Sequence, residues 1–342
     1  MTAARDRRRH ARNYWLLAQQ RADEGRLDEA HGYLTRAGRL DPSSREIRRA
    51  EASLSYARGD LAAAERQLRR LYASSSGRDA ATCHLLGNIH LFREDGARAL
   101  ELYREAAASG GESPELCYNR GLACYLLADL DGAEAEFLAA LEFDLDYGRA
   151  MDGLGCVDKA RGRTDSAIAW FQMAADADAA LYEAHQHLGE ALFERGMLDQ
   201  ARSHLRRAGA LDPGRPEAHR LLGEIHAARK EWRQALLRWQ RAAEAAPECD
   251  EALSGMGRAC AALGRPDDAM QYLELALDAN PENLWARVDL AALHLRAGRR
   301  RRALDHLRRA QRLAGDDPRI AYLIAHALHP GGRDAVWGRR RG

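Results

Sequence analysis

One alanine returns along this chain at an almost constant spacing, and that spacing limits the possible folds more than any other feature. Successive copies lie 34 residues apart, except for a single step of 35. The nine copies are Ala30, Ala64, Ala99, Ala133, Ala167, Ala201, Ala235, Ala269 and Ala303. A period of this length predicts a tandem array, in which each unit packs only on its neighbours.

Two further positions keep the same register. Gly or Ala stands twelve residues before each recurring alanine, and a large apolar residue such as Phe137 or Trp239 stands four residues after it. Small side chains allow two antiparallel helices to approach closely, and a bulky residue one turn away fills the remaining space. The pattern therefore predicts one pair of short helices in each unit.

Glycine and proline mark the ends of these predicted helices. Six glycines are placed to supply the positive φ angle that closes the first helix of a pair. They are Gly25, Gly59, Gly162, Gly196, Gly264 and Gly298. Four prolines are placed to stop the second helix and to turn the chain into the next unit. They are Pro42, Pro213, Pro247 and Pro281.

This register resembles that of the tetratricopeptide repeat (TPR) family. Tyr118-Asn119, Leu188-Gly189 and Leu222-Gly223 match parts of the family's Tyr-Asn-Leu-Gly core, whereas Arg120 stands where Leu is usual. The resemblance covers residues 11–316 and about nine units. It implies an all-α fold, namely a TPR superhelical solenoid of antiparallel helix pairs (an α-α superhelix).

The register predicts how the chain is divided. A basic segment over residues 1–10 precedes nine units, at about 11–44, 45–78, 80–113, 114–147, 148–181, 182–215, 216–249, 250–283 and 284–316. The second unit ends in a serine run at residues 74–76 without a proline, so we expect a bend there. Asp317 and Pro318 begin a predicted capping helix over 317–329, whose apolar stripe should cover the last unit. A basic flexible tail is expected over 330–342.

The charge is distributed unevenly, although its sum is only +1. Residues 1–70 contain 16 basic and 10 acidic side chains, and residues 201–342 contain 26 basic and 18 acidic ones. Residues 111–200 contain only 6 basic but 18 acidic side chains. An acidic centre between two basic ends favours a basic or amphipathic peptide as the partner.

Cysteine usage and hydropathy favour a soluble protein of the cytoplasm. The six cysteines form no CxxC pair, and a repeated core of this length needs no disulfides. Cys83 and Cys117 hold equivalent places in adjacent units, so we expect a helix-pair spacing of about 10 Å between them and two buried thiols. We expect no signal peptide, and no apolar run approaches the length of a membrane span.

The resemblance also implies a binding surface, because the first helix of each pair lines the concave face in TPR proteins. Units three to six would supply aromatic anchors and selecting carboxylates for an amphipathic or basic peptide. The candidates are His84, Asn88, Phe92, Tyr118, Asn119, Leu122, Tyr125, Arg149, Asp152, Lys159, Gln186, Glu190, Phe193 and Glu194. Phe92, Tyr125 and Phe193 could instead pack between neighbouring first helices.

Some members of the family grip a C-terminal carboxylate with a clamp of amides and cations. Asn88 and Asn119 stand at its two amide places, and Arg149 stands at one of its basic places. However, His84 replaces the usual first Lys, and Gly153 stands where the final Arg would be. A free carboxylate needs firm cationic donors, so the clamp is the less favoured interpretation.

The sequence contains no catalytic motif. Phosphate-binding, dinucleotide-binding, zinc-protease and nucleophile-elbow patterns are all missing from it. His185 and His187 point to different faces of a helix, and His326 and His329 have no Cys or carboxylate ligands nearby in the sequence. We therefore expect a protein that is not an enzyme and has no cofactor and no metal site.

The main hypothesis is an adaptor that holds a partner's peptide or helix in its central groove and aids assembly of a larger complex. Two alternatives stay open. The arginines at residues 5–9, 299–302 and 339–341 could bind nucleic acid or an anionic surface, although the acidic centre disfavours nucleic acid along the whole chain. The apolar stripe of residues 320–328 could also stack copies of the chain end to end. The oligomeric state stays open.

Overall fold

A computed structural model describes residues 2–73, 79–315 and 317–328 of the chain. These residues form nineteen α-helices and contain no strand. The predicted all-α fold of consecutive helix pairs is therefore confirmed. The chain divides into two compact units, residues 1–179 (unit 1) and residues 180–342 (unit 2).

The described part of unit 1 contains ten helices that pack in consecutive pairs. They are α1 (Thr2–Asp23), α2 (Leu27–Leu40), α3 (Arg45–Ala57), α4 (Leu61–Tyr72), α5 (Ala80–Phe92), α6 (Gly96–Ala108), α7 (Pro114–Leu126), α8 (Leu130–Phe143), α9 (Gly148–Ala160) and α10 (Thr164–Ala177). Each pair packs on the next, and α5, α7 and α9 also contact one another in chain order. The first helices of the pairs therefore share one face.

The described part of unit 2 repeats this arrangement. Its helices are α11 (Tyr182–Glu194), α12 (Leu198–Leu211), α13 (Pro216–Ala228), α14 (Trp232–Ala245), α15 (Asp250–Ala262), α16 (Pro266–Ala279), α17 (Leu284–Arg296), α18 (Arg300–Ala314) and α19 (Pro318–Leu328). Here α11, α13, α15, α17 and α19 contact one another in chain order. We call the pairs α7–α8, α13–α14 and α15–α16 repeats four, seven and eight.

The odd-numbered helices α3 to α17 begin at the residues where the 34-residue register starts a unit, from Arg45 to Leu284. At the N-terminus, residues 2–10 of the basic segment form the first part of α1. The serine run at residues 74–76 and the tail at residues 330–342 lie outside the described residues.

Close packing of small residues against large rings holds each helix pair together. In unit 1, Phe137 of α8 is 1% exposed and lies between Gly121 of α7 and Gly153 of α9. A Cβ atom added to these glycines would lie 2.5 Å and 2.7 Å from the ring. Because real contacts never become so short, only glycine fits beside this ring.

The turns inside the pairs adopt the conformation that the glycines predicted. All six of those glycines have φ between 73° and 80°. The equivalent turns of the α5–α6 pair, of repeat four and of repeat seven contain Glu94, Ala128 and Lys230. These residues also have positive φ, between 58° and 60°. Side chains disfavour this region, so helix packing imposes the turn even where glycine is missing.

Helix α19 uses its apolar stripe inside unit 2. Ile320 is 1% exposed and packs with Val288 of α17 and Leu307 of α18. The Asp317 carboxylate accepts a hydrogen bond from the backbone N–H of Arg319 at 2.7 Å. The stripe that we considered for end-to-end stacking is therefore largely covered by the preceding helix pair. No helix in the described residues has both the length and the hydrophobicity that crossing a bilayer requires.

Candidate functional site

The candidate surface of unit 1 is the face formed by α5, α7 and α9, which we call the central face. Its first two helices are held against their partners by glycine–ring contacts. A Cβ atom added to Gly87 would lie 2.4 Å from Tyr103, and one added to Gly121 would lie 2.5 Å from Phe137. This tight packing fixes where the outward side chains of α5 and α7 stand.

Three polar side chains of the central face and the Tyr103 hydroxyl of α6 form one hydrogen-bonded network. The Asn119 Nδ2 group donates to Nε2 of His84 at 2.8 Å and to Oδ1 of Asn88 at 3.2 Å. The Tyr103 hydroxyl donates to the same oxygen of Asn88 at 2.8 Å. Asn119 is only 9% exposed. The two amides that the resemblance assigned to ligand contact therefore bond to each other.

The network also determines the protonation state of His84. An amide nitrogen can only donate, so Nε2 of His84 accepts and its imidazole is neutral. Burial lowers the pKa of His84, against an opposing effect of Glu115, and this favours the same neutral form. A C-terminal carboxylate would find no cation at this position, which argues against the clamp.

The aromatic candidates of the central face include one that is packed and two that are exposed. Tyr118 lies against Phe137 and Tyr147, with ring centroids 5.7 Å and 5.8 Å away. Burial raises the pKa of the Tyr118 hydroxyl. In contrast, Tyr125 is 37% exposed and Phe92 is 68% exposed. Tyr118 therefore belongs to the packing of the unit, whereas Phe92 and Tyr125 face solvent.

Two exposed leucines follow Tyr125 at the end of α7. Leu126 and Leu127 are 46% and 47% exposed, and both lie beside Gly96 at the start of α6. A Cβ atom added to Gly96 would lie 3.3 Å from Leu126 and 3.2 Å from Leu127. We call Phe92, Tyr125, Leu126 and Leu127 the apolar edge. Sequence reasoning left out Leu127, although its position directly after the exposed end of a predicted helix was a usable signal.

The remaining candidates of unit 1 lie on α7 and α9. Asp152 is only 7% exposed, so its carboxylate is buried rather than displayed on the wall of the central face. Arg149 is exposed, and Leu122 and Lys159 are half-buried. Asp152 therefore adds no exposed carboxylate to the central face.

In unit 2 the candidate residues lie on one face of α11, at the spacing of successive helical turns. Gln186, Glu190 and Phe193 are half-buried, and Glu194 is exposed. The Gln186 Nε2 group donates to a carboxylate oxygen of Glu190 at 3.3 Å. This face therefore presents acidic groups beside one aromatic ring.

The histidines considered as metal ligands differ in their burial. His185 is 8% exposed, and its ring stacks on that of His204, with 3.2 Å between the Nδ1 atoms. His187 is half-buried and His326 is exposed, while His329 lies outside the described residues. The His185 ring therefore belongs to the interior of unit 2.

Cys83 and Cys117 are buried thiols without a disulfide, as their places in the register predicted. The Cys117 Sγ atom lies 3.4 Å from the carboxylate of Glu112. Burial, followed by this carboxylate, raises the pKa of Cys117 to about 11. The thiol therefore stays protonated and is a poor nucleophile at neutral pH.

The sequence matches models of two families that are both described as tetratricopeptide repeat. One matches residues 159–225 and 261–327, and the other matches residues 84–147 and 228–283. Among curated proteins no sequence matches this chain significantly.

Solved structures of similar fold show the same architecture at low identity. A chain of the APC/C hetero-tetramer Cut9–Hcn1 is 18% identical, with a TM-score of 0.64; the match covers 90% of this chain and 60% of that one. The protein pilF of Pseudomonas aeruginosa is 18% identical, with a TM-score of 0.58, and the match covers 62% and 97% of the two chains. A tetratricopeptide repeat protein from Parabacteroides merdae is 18% identical, with a TM-score of 0.57, and the match covers 73% and 99%. At these identities the likeness concerns the fold alone.

Proposed function

Because this chain belongs to the tetratricopeptide repeat family, we propose that it is an interaction scaffold that binds a partner protein through the central face of unit 1. The repeats support a protein-binding scaffold in general, and the fold is typical of such scaffolds without catalytic activity. The partner segment that we propose is amphipathic or basic. By holding it, the scaffold would aid assembly of a larger complex.

The observation that carries this proposal is the apolar edge. Its four large side chains are between 37% and 68% exposed and lie at the ends of adjacent helices. A group of exposed apolar side chains at neighbouring helix ends is typical of an interaction site. Aromatic side chains such as Phe92 and Tyr125 serve as anchors, because a pocket on the partner can bury them completely.

The charge of the same region supports the choice of partner. Residues 111–200 contain 18 acidic and 6 basic side chains. Such an excess attracts a basic segment over several ångströms and raises its association rate at low salt. The apolar edge would then supply the contacts that slow dissociation. We propose the acidic face of α11, with Glu190 and Glu194, as a separate binding surface of unit 2 for a segment of the same chemistry.

The test is affinity capture with the full chain as bait and a double variant, Phe92→Ala with Leu126→Ala. Both side chains are exposed, so their truncation leaves the fold intact. Tyr118 is unsuitable for this purpose, because its removal would disturb the core of unit 1. Partners that engage the apolar edge should be recovered at least about tenfold less by the variant, as expected for loss of an anchor worth more than 1.4 kcal/mol.

A matched control is the double variant Phe143→Ala with Leu145→Ala. These side chains also belong to unit 1 and are 57% and 78% exposed, but they lie outside the apolar edge. The control should recover the same partners as the wild type. Equal recovery by all three proteins would remove the apolar edge from the function.

A second candidate function is supported by the start of α18. Arg299, Arg300, Arg301 and Arg302 are all exposed and, with Gly298, line an open cavity of about 600 Å³. Four adjacent cations at a helix N-terminus attract nucleic acid or an anionic lipid surface. The change of Arg300 and Arg301 to Gln should abolish any salt-sensitive binding to single-stranded DNA or to phosphatidylserine vesicles. Binding that is unchanged in this variant would eliminate this candidate.

We also propose that the protein works in the cytoplasm. None of its six cysteines, all within the described residues, forms a disulfide, and four of them are buried. Unbridged cysteines suit a reducing compartment. Fluorescent tagging in living cells tests this location, and a signal confined to the periplasm or the medium would contradict it.

A further inference from the structure

Unit 2 contains a cavity of about 410 Å³ where α12, α13 and α14 meet, and we call it the arginine cavity. Its lining includes Gly209 of α12, His219 of α13, and Arg238, Arg241 and Glu244 of α14. It lies in repeat seven, outside the central face and α11. The family pattern of small and large residues assigns it no role.

Two polar groups at this cavity have no hydrogen-bond partner among the residues that the structure describes. His219 is 8% exposed, and its Nδ1 atom is buried without a partner. The Nε atom of Arg238 is likewise buried and unpartnered. The lining contains one carboxylate, that of Glu244, and it lies 3.1 Å from Arg241. Burying unpaired polar groups costs free energy, so these groups need an explanation.

The repeat fold itself does not require polar groups at these places. In repeat eight, 34 residues later, His219, Arg238 and Arg241 are replaced by Leu253, Tyr272 and Leu275. Leu253 is buried there, and Tyr272 packs against the same apolar cluster.

In the adjacent repeat Leu253 and Tyr272 thus pack in an apolar cluster at the equivalent places, while Leu275 is 50% exposed, and none of the three buries an unpaired donor. The free-energy cost of burying unpaired polar groups in repeat seven is not needed for folding, because repeat eight folds without it. A ligand that pairs with these groups would explain why the cost persists.

The electrostatics indicate the sign of that ligand. Burial lowers the pKa of Arg238, and the positive charges of Arg206 and Arg241 lower it further. Burial also lowers the pKa of His219, with additional effects of Arg238 and Arg241. Burial is the largest cause of both shifts, and the positive charges of the neighbouring arginines add to it, while Glu244 opposes the shift of His219. An anion at the cavity would pair with these positive charges.

We propose that the arginine cavity binds a phosphate group, held by the Arg238 guanidinium, the Nδ1 group of His219 and the charges of Arg206 and Arg241. A guanidinium presents paired N–H donors that match the oxygens of phosphate. A neutral imidazole that carries its proton on Nδ1 adds another donor.

The position of the His219 ring close to the backbone of α12 depends on Gly209. A Cβ atom added there would lie 3.2 Å from Cε1 of the His219 ring, so a side chain at this position would crowd the histidine. The phosphate is either free or part of a phosphorylated side chain, and the two sources require the same contacts.

The test is isothermal titration calorimetry on the full chain at constant ionic strength, with sodium chloride as the reference salt. One arm uses inorganic phosphate, and the other compares a phosphoserine peptide with its unphosphorylated form. Saturable binding of inorganic phosphate identifies the free anion as a ligand. Binding of the phosphopeptide alone identifies a phosphorylated side chain as the source.

Two variants and a control make this test specific. Arg238→Gln should weaken binding by about tenfold or more, because a charge-assisted hydrogen bond is lost. The double variant His219→Leu with Arg238→Tyr copies repeat eight, so it should fold and yet lose binding. Arg233→Gln changes an exposed arginine of the same helix that does not line the cavity, and it should leave binding unchanged.

Thermal unfolding supplies an independent readout. Phosphate should raise the melting temperature of the wild type relative to chloride, but not that of the double variant. The proposal is overturned if neither ligand binds the wild type saturably. It is also overturned if Arg233→Gln and Arg238→Gln weaken binding equally, because only a diffuse charge effect behaves in that way.

Discussion

Repeats four and seven share one apolar scaffold but differ in how their buried polar groups are satisfied. In repeat four Phe137 lies between two glycines, and the buried Asn119 has two hydrogen-bond partners. In repeat seven Trp239 lies between two glycines in the same way, but Nδ1 of His219 and Nε1 of Trp239 have no hydrogen-bond partner in the described part of the chain. The contrast shows that the packing of a ring between glycines determines how the helices pair. This packing does not determine whether the buried polar groups have hydrogen-bond partners.

The largest effect should come from removing the shared part of the scaffold. Phe137→Ala and Trp239→Ala should each lower the free energy of unfolding by about 3–5 kcal/mol, because each empties a fully enclosed ring site. Urea unfolding followed by circular dichroism measures both losses. A small loss for one of the two would show that the repeats do not use their rings in the same way.

Filling the space beside a ring should have the next largest effect. A Cβ atom at Gly255 would lie 2.4 Å from the Trp239 ring, so Gly255→Ala should cost about 1–3 kcal/mol of stability through overpacking. Gly32 of α2 is the matched control, since a Cβ atom there would meet nothing within 4 Å. Gly32→Ala should stabilise the chain by about 0.5–1 kcal/mol, because alanine favours a helix. If Gly255→Ala and Gly32→Ala both raise or both lower the free energy of unfolding, the packing argument is refuted.

A smaller effect is expected in the satisfied network of the central face. Tyr103→Phe removes the hydroxyl that donates to Asn88 but keeps the buried ring, so it should cost about 0.5–1.5 kcal/mol. Tyr322→Phe is the control, because that side chain is 46% exposed. Chemical denaturation of both variants checks the difference. If Tyr103→Phe leaves the free energy of unfolding unchanged, the hydrogen bonds of this network add no more stability than the unpaired groups of the arginine cavity do.

The smallest effect concerns pH. The pKa of His219 is lowered in the folded state, so the unfolded chain binds more protons below the unfolded pKa of about 6.5. The free energy of unfolding should therefore fall as the pH drops from the unfolded pKa of His219 towards its folded pKa. At a pH above the unfolded pKa, His219 should not make the stability depend on pH.

His219→Leu should make this pH dependence shallower than in the wild type. Free energies of unfolding between pH 8 and pH 5 measure the difference, in chloride buffers without phosphate. His84, His294 and His306 have lowered pKa values too, so the comparison of the two proteins isolates His219. Identical slopes would show that His219 is not protonated less readily in the folded chain.

Most of the fold could be predicted from local rules. The residues at the helix starts, such as Pro114 and Pro216, and the positive φ of Gly162 follow from single positions in the register. The pairing of small and large residues also follows, because the closest approach of two helices depends on the side chains at one level. These features need only the order of residues within one repeat.

The candidate site could be predicted only in outline. The register located Asn88, Asn119 and Phe92 on first helices, but it could not show that the two amides bond to each other while Phe92 stays exposed. That difference depends on His84 and Tyr103, which reach Asn119 and Asn88 from other helices. Side-chain direction and the supply of partners are properties of the assembled helices.

The order of amino acids by itself determined that helices pair every 34 residues, since local packing of glycine against a large ring leaves no other close arrangement. Only the tertiary structure decided which polar groups have partners. Asn119 forms hydrogen bonds with His84 and Asn88, whereas His219 and Arg238 line a cavity. The physical reason is that a hydrogen bond needs a donor and an acceptor within about 3 Å, and three-dimensional packing brings together groups from different helices to meet that condition.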